Sequence, residues 1–102
     1  MALKKWAYVY LSPNFSPEKN TTRTNLGTCV FISVGLDFKD KDRVLDIAEE
    51  LYIEGVQMIE LCGGFGPVWL ARVSEFLCGA IPVGCVVYGP ESRQTMLDIL
   101  NK

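Results

Sequence analysis

Apolar residues along the chain gather into short runs of strand length. Residues 6–11 are rich in aromatic side chains and Val, which favour strands, and residues 28–34 form an almost unbroken apolar run. Unbroken apolarity over this length is typical of a strand covered on both faces, as in a parallel sheet. Residues 58–61 and 82–88 are two further runs of this kind. The pattern therefore predicts four strands.

Segments whose apolar residues have the spacing of an α-helix lie between these runs. Residues 44–52 place apolar side chains three and four positions apart, which predicts one buried stripe, with Asp40 as the residue that caps the helix and Gly55 as the residue that ends it. A second helix is predicted to begin at Pro67, where a missing amide costs the first turn nothing. A third is predicted from about residue 90 to the end of the chain.

The order of these elements predicts the fold class. From the second strand onward, strands and helices alternate strictly, which indicates parallel strands joined by right-handed helical crossovers. We therefore predict a single α/β domain over residues 1–102, with a mainly parallel four-stranded sheet in the order β-β-α-β-α-β-α. The direction of the first strand stays open. Residues 12–27 are polar, turn-rich and long for a connection, so they are a flap, an arm that reaches a partner, or a hidden short helix near 17–22.

Charge and composition restrict the partners. Ten basic and twelve acidic residues give a net charge of −2, without the basic cluster that nucleic acids and anionic membranes require. Hydrophobic residues make up 49% of the chain, a high share for so small a domain, and this favours a homodimer. No apolar run has the ~18–20 residues of a membrane helix, and the first residues lack the apolar stretch of a secretory signal. We therefore predict a cytoplasmic protein.

The cysteines favour neither a metal site nor a disulfide framework. Histidine is absent, and no two of the four cysteines have the short spacing of a zinc site. We therefore expect reduced thiols, which are typical of cytoplasmic proteins, and no metal. The four residues are Cys29, Cys62, Cys78 and Cys85.

The glycine-rich segment 62–67 is the strongest candidate for a ligand site. It follows a predicted strand, and ligands of open α/β sheets lie beyond the carboxyl ends of the strands. Its glycines let a ligand approach the backbone, and the free amides of the next helix favour an anion. The spacing matches neither the dinucleotide fingerprint nor the P-loop, so we predict no cofactor. The alternative is that the glycines only allow a tight turn. The predicted ligand-binding residues are Gly63, Gly64, Phe65, Gly66, Tyr88 and Arg93.

Two residues beside the glycines are candidates for catalysis. Glu60 interrupts an apolar strand, so we expect it to be buried, where it either accepts hydrogen bonds from loop amides or acts as a general base. Cys62 precedes a helix N-terminus, which would stabilise a thiolate, although the chain has no histidine to serve as its base.

These features leave three functional classes open. The first is a homodimeric module that binds a small anionic or polar metabolite on the glycine turn. The second is a small cofactor-independent enzyme (an isomerase, lyase or hydrolase) that uses Glu60 with help from Cys62 or Tyr88. The third is a structural or interaction protein. We rank the binding module first.

The segment Ile-Glu-Leu-Cys-Gly-Gly-Phe-Gly-Pro at 59–67 resembles a family of small bacterial proteins of unknown function. The resemblance extends over most of the chain and includes shorter stretches at 5–7, 17–19, 54–57 and 81–84. It implies a shared small fold and no particular activity. It also implies that other members carry an arginine at the position of Tyr88, so a basic group at the predicted site is missing here.

Overall fold

A five-stranded sheet and three α-helices make up the fold of the computed structural model, which describes residues 2–101. The strands are β1 (Lys5–Leu11), β2 (Thr21–Asn25), β3 (Val30–Leu36), β4 (Ile59–Leu61) and β5 (Val83–Cys85). The helices are α1 (Val44–Glu54), α2 (Gly66–Phe76) and α3 (Arg93–Leu100), and short 3₁₀ segments, Phe38–Arg43 and Pro90–Ser92, precede α1 and α3. The strand order is β2-β3-β1-β4-β5, with β2 antiparallel and the others parallel.

The prediction of four strands is wrong, because the segment 12–27 contains β2. This strand reads Thr-Thr-Arg-Thr-Asn and is exposed at all five positions. An edge strand with no layer packed over it needs no apolar residues, so the hydrophobic pattern did not reveal it. Residues 17–19 form a turn in place of the helix that was one of the alternatives.

Strand β1 lies at the centre of the sheet, parallel to β3 over seven residue pairs and to β4 over three. Its direction, which the sequence left open, is therefore parallel. Its side chains alternate between the two faces: Ala7 and Val9 are fully buried, whereas Tyr8 and Tyr10 are half-buried on the opposite face.

Helices α1 and α2 cover only one face of the sheet. The buried strand residues, such as Ile32 and Ile59, form one core with Val44 and Ala48 of α1 and Val73 of α2. The chain moves across the sheet in one direction from β3 to β5 but in the opposite direction from β1 to β3. Right-handed crossovers in opposite directions lie on opposite faces.

The crossover from β1 to β3 contains no α-helix. Its main contribution to the second face is Phe15, whose ring lies 5.8 Å from that of Tyr10. A Cβ added at Gly35 would lie 2.7 Å from Phe15 Cδ2, so the glycine lets this ring pack against the sheet. The expectation that both faces of the sheet are covered is therefore wrong.

The predicted end of α1 is confirmed and its predicted cap is wrong. Gly55 ends the helix with a φ of 103°, and the Val56 amide donates to the Leu51 carbonyl 3.0 Å away. Asp40 lies inside the preceding 3₁₀ segment, and Asp37 caps that segment by accepting from the Lys39 amide. The observed cap differs from the predicted one because this 3₁₀ segment begins before the apolar stripe from which the helix was predicted.

The hydrogen bonds of Asp37 predict a contribution to stability that depends on pH. Its carboxylate accepts hydrogen bonds from the amides of Lys39 (3.0 Å) and Asn14 (2.6 Å), which lower the pKa of Asp37 below its ordinary value of 3.8. A lowered pKa stabilises the folded state above the unfolded value, and this contribution is lost as the pH falls toward the folded value. We expect Asp37→Asn to lower the melting temperature at pH 7 and to flatten its decline below about pH 4. Thermal melts at a series of pH values from neutral to acidic measure the melting temperature at pH 7 and its decline at low pH. Asp42→Asn is the control, and an equal flattening in that variant would contradict the role of Asp37.

Candidate functional site

The glycine turn lies at the carboxyl end of β4, between the central strands and the start of α2. The Cys62 amide donates to the Val9 carbonyl (3.0 Å), and the Phe65 amide closes the turn on the Cys62 carbonyl (3.1 Å). Gly66 has a φ of 76°, a left-handed conformation that directs the chain into α2. The predicted position of the turn, at the sheet edge where α/β proteins bind ligands, is the observed one.

The backbone of Gly63 and Gly64 forms the floor of the site. Neither amide has a hydrogen-bond acceptor among residues 2–101. A Cβ added at Gly64 would lie 3.2 Å from Leu11 Cδ1 and 3.6 Å from Phe38 Cε1. At Gly63 it would lie 2.5 Å from Cε2 of Tyr88, so the Tyr88 ring packs directly on this glycine. Both positions are therefore close to side chains that surround the turn.

A cleft of about 610 Å³ opens between this floor and α3. This volume is within the range of small-molecule sites, ~300–1,000 Å³. Its walls are mainly apolar, and its polar lining residues include Glu91, Ser92 and Thr95. No lysine or arginine is among the lining residues. The apolar walls are formed by Leu11, Phe38, Met96, Ile99 and Leu100.

A second cleft of about 530 Å³ also contacts Tyr88 and the glycine turn. It lies against α2 and the segment 86–90, and it contains Gly66 and Arg93. The predicted ligand-binding residues are therefore divided: Gly64 lines the first cleft, Gly66 and Arg93 line the second, and Gly63 and Tyr88 line both.

Phe65 lies apart from the other predicted ligand-binding residues. Its side chain is 4% exposed and belongs to the hydrophobic core, and it lines neither cleft. An aromatic residue inside a glycine turn can face the ligand or the core, and the sequence pattern alone did not distinguish these orientations.

The expectation that Glu60 is buried is wrong. Strand β4 alternates buried, exposed, buried, and Glu60 is its exposed residue on the uncovered face of the sheet, beside Tyr8 and Gly84. Because no helix covers this face, a carboxylate there keeps contact with water. Glu60 lines neither cleft, and the proton-acceptor role remains a hypothesis without the burial that motivated it.

Cys62 lines the first cleft, and its sulfur takes part in the backbone structure. The Leu11 amide donates to Cys62 Sγ at 3.2 Å, and Cys85 Sγ donates to the Cys62 carbonyl at 3.5 Å. All four cysteines are free thiols. Within residues 2–101, no three His, Cys, Asp or Glu side chains come together as a metal site.

Tyr8 is a neighbour of the site that the sequence did not indicate. Burial raises the pKa of its hydroxyl above the ordinary 10.0. Nearby acidic groups raise this pKa further: Cys62, Tyr88, Cys85 and Glu60. Tyr8 was missed because its proximity depends on β1 pairing with β4.

The walls of the first cleft were also missed. Leu11 ends β1 at the same sheet edge as the turn. Its place in the cleft wall could have been predicted if β1 had been assigned to the centre of the sheet. On α3, Met96, Ile99 and Leu100 are three and four residues apart, which is a detectable signal for one apolar side of the helix.

Comparisons with known proteins identify a family but no activity. No helix among the described residues is long and apolar enough to span a membrane. The chain matches no curated protein and no solved structure. A family model described as a family of unknown function, DUF6506, matches residues 4–101. With nearly its whole length matched, the chain belongs to the family DUF6506.

Proposed function

We propose that this protein is a homodimeric module that binds a small anionic metabolite, a monocarboxylate with an apolar body, in the cleft between the glycine turn and α3. One observation supports the proposal: Gly63 and Gly64, whose amides have no acceptor among residues 2–101, line a cleft whose walls are mainly apolar. Small-molecule sites combine mostly apolar walls with a few polar groups that fix the ligand's orientation.

The charges around the cleft define the ligand class. Consecutive backbone amides in a turn bind anionic oxygens. No basic residue lines the cleft, whereas the acidic residue Glu91 does. A single carboxylate therefore suits the site better than a phosphate or a dicarboxylate, because each further negative charge would meet Glu91 without a cation to balance it.

The homodimer and the cytoplasmic location are parts of the same proposal. The high hydrophobic share of the chain supports self-association, as do the exposed apolar residues outside the core. The free thiols support a reducing compartment, because disulfides are rare in the cytosol.

A thermal-shift panel tests the ligand class. Aromatic and medium-chain monocarboxylates are compared with acetate, inorganic phosphate and neutral amides of the same apolar bodies. A ligand at a hundred times its Kd stabilises the folded state by about 2.7 kcal/mol, which raises the melting temperature of a domain of this size by roughly 10 °C. We expect such a shift for some apolar monocarboxylates and none for acetate. A uniformly flat panel would contradict the proposal.

Gly64→Val tests the location of the site. The position has no left-handed φ, so a side chain is conformationally allowed, but its methyl groups would extend from a Cβ already 3.2 Å from Leu11 Cδ1. We expect the variant to fold and to lose the thermal shift, with at least a tenfold increase in Kd. Ala71→Val, on the exposed side of α2, adds branched bulk away from the cleft and should bind normally. Unchanged binding by Gly64→Val would place the ligand elsewhere.

A further inference from the structure

The face of the sheet opposite α1 and α2 carries two groups of aromatic side chains, Trp6 with Phe31, and Tyr8 with Tyr10 and Phe15. We call it the open face, and it consists of the strand residues Trp6, Tyr8, Tyr10, Thr22, Thr24, Phe31, Ser33, Gly35, Glu60 and Gly84. Helices α1 and α2 pack on the other face, and Phe15 is the aromatic residue of the β1–β3 connection that reaches the open face.

The aromatic rings of the open face are already arranged against one another. The centroids of Trp6 and Phe31 are 4.5 Å apart, and those of Tyr8 and Tyr10 are 6.0 Å apart and stacked. Rings that pack together lose little further conformational freedom when a partner covers them. The open face is therefore a preorganised surface.

The charge on the open face is low. Arg23 of β2 points to the other face, where it pairs with Glu54 of α1, and Lys5 of β1 also contacts Glu54. Glu60 is the charged strand residue of the open face. Protein interfaces are enriched in Tyr, Trp and Phe and depleted of charged residues at their centre, and the open face has this composition.

The chain also exposes more surface than a monomer of its mass. A folded monomer of 11.4 kDa has an accessible surface of about 5,800 Å² on average. This chain exposes 6671 Å², roughly 900 Å² more than that average. This excess, which belongs to the chain as a whole, is comparable to the ~800 Å² that each partner buries in a standard interface. On the open face, Trp6, Tyr8 and Phe31 are half-buried. The radius of gyration, 14.1 Å, likewise exceeds the ~13 Å typical of a 100-residue domain.

We propose that the open face is the homodimer interface, with the open faces of two copies packed against each other about a two-fold axis. This inference rests on the homodimer that is part of the proposed function. Two sheets stack about 10 Å apart when their side chains interdigitate, which suits aromatic residues separated by small ones such as Ser33 and Gly35. A second copy fits this face because the nearly uncharged surface opposes itself with little repulsion, one Glu60 from each copy.

Thr24→Glu tests this interface. Thr24 is exposed on edge strand β2 and pairs with Phe31, so a glutamate there is compatible with the monomer fold but introduces a charge among the aromatic rings of the dimer. Each substitution acts twice in a symmetric dimer. We expect the wild type to sediment as a dimer, and Thr24→Glu to raise the dimer dissociation constant at least tenfold while its circular dichroism stays native. Phe31→Ala, which removes an aromatic ring without adding a charge, is the second variant and should also weaken the dimer.

Ile53→Glu is the control, because Ile53 is 75% exposed on α1, on the opposite side of the sheet. It should leave the dimer intact. A dimer that survives Thr24→Glu and Phe31→Ala, or that dissociates only in Ile53→Glu, would overturn the interface and leave the homodimer itself standing. A wild type that is monomeric over the whole dilution series would overturn both. Thr24 does not line the ligand cleft, so the thermal-shift panel on Thr24→Glu tests binding independently of dimer formation.

Discussion

A chain that ends at Gly89 is expected to fold and to lose ligand binding. None of the α3 residues is buried, so removal of the helix takes nothing from the core formed by the sheet, α1 and α2. The same truncation removes one complete wall of the cleft, with Met96, Ile99 and Leu100. Each apolar side chain that a ligand would bury contributes roughly 1.5–3 kcal/mol, so loss of three should raise Kd by more than a hundredfold. Thermal melts and ligand titrations on the truncated chain measure both effects.

A matched pair of substitutions in the full chain distinguishes the effect of losing the cleft wall from the effect of losing the whole helix. Ile99 lines the cleft and Leu97 does not, although both lie on α3 and both are exposed in the free protein. We expect Ile99→Ser to weaken binding about tenfold or more and Leu97→Ser to leave it unchanged. Equal effects of the two substitutions, or full affinity in the truncated chain, would contradict the role of α3 as a wall of the site.

Ile59→Ala is expected to cause a large loss of stability. Ile59 is fully buried in β4, where it pairs with Ala7 on one side and Val83 on the other. Truncation of a buried isoleucine to alanine costs about 2–5 kcal/mol, because it removes buried apolar surface and leaves a cavity. This is a large fraction of the ~5–15 kcal/mol that stabilises a typical domain.

Ile53→Ala is the corresponding control on the surface. Its side chain is 75% exposed, so the same chemical change should alter the free energy of unfolding by less than about 0.5 kcal/mol. Urea denaturation of both variants, with equal m-values, provides the comparison. A loss below 1 kcal/mol in Ile59→Ala would show that β4 does not form part of the stable core.

The regular elements could be predicted from residue patterns wherever burial produces such a pattern. The stripe of α1, its end at Gly55 and the turn between β4 and α2 all follow from local rules on apolar spacing and on glycine conformation. Strand β2 could not be predicted from residue patterns, because its residues face solvent at the edge of the sheet and pair with β3 through the backbone. The predicted fourth strand, 82–88, was also too long: β5 ends at Cys85, and the apolar Val86 and Val87 that follow are exposed.

For the candidate site, the sequence identified the floor and missed the walls. Gly63, Gly64 and Cys62 are consecutive, so their proximity needs no knowledge of the fold. Leu11 and Phe38 reach the same cleft from other parts of the chain, and only the order of strands brings them there. Glu60 shows the opposite error, since a polar residue in an apolar strand signals a buried charge only if both faces of the sheet are covered.

By itself the sequence determined the alternation of strands and helices, the glycine turn and the strand end on which that turn lies. These are local properties, set by apolar periodicity and by the few backbone conformations that glycine and proline permit. Only the tertiary structure decided that helices cover one face of the sheet, because the face on which a right-handed crossover packs depends on the side at which the next strand joins, and that choice is made between residues far apart in the chain. The open face and the exposed position of Glu60 follow from it.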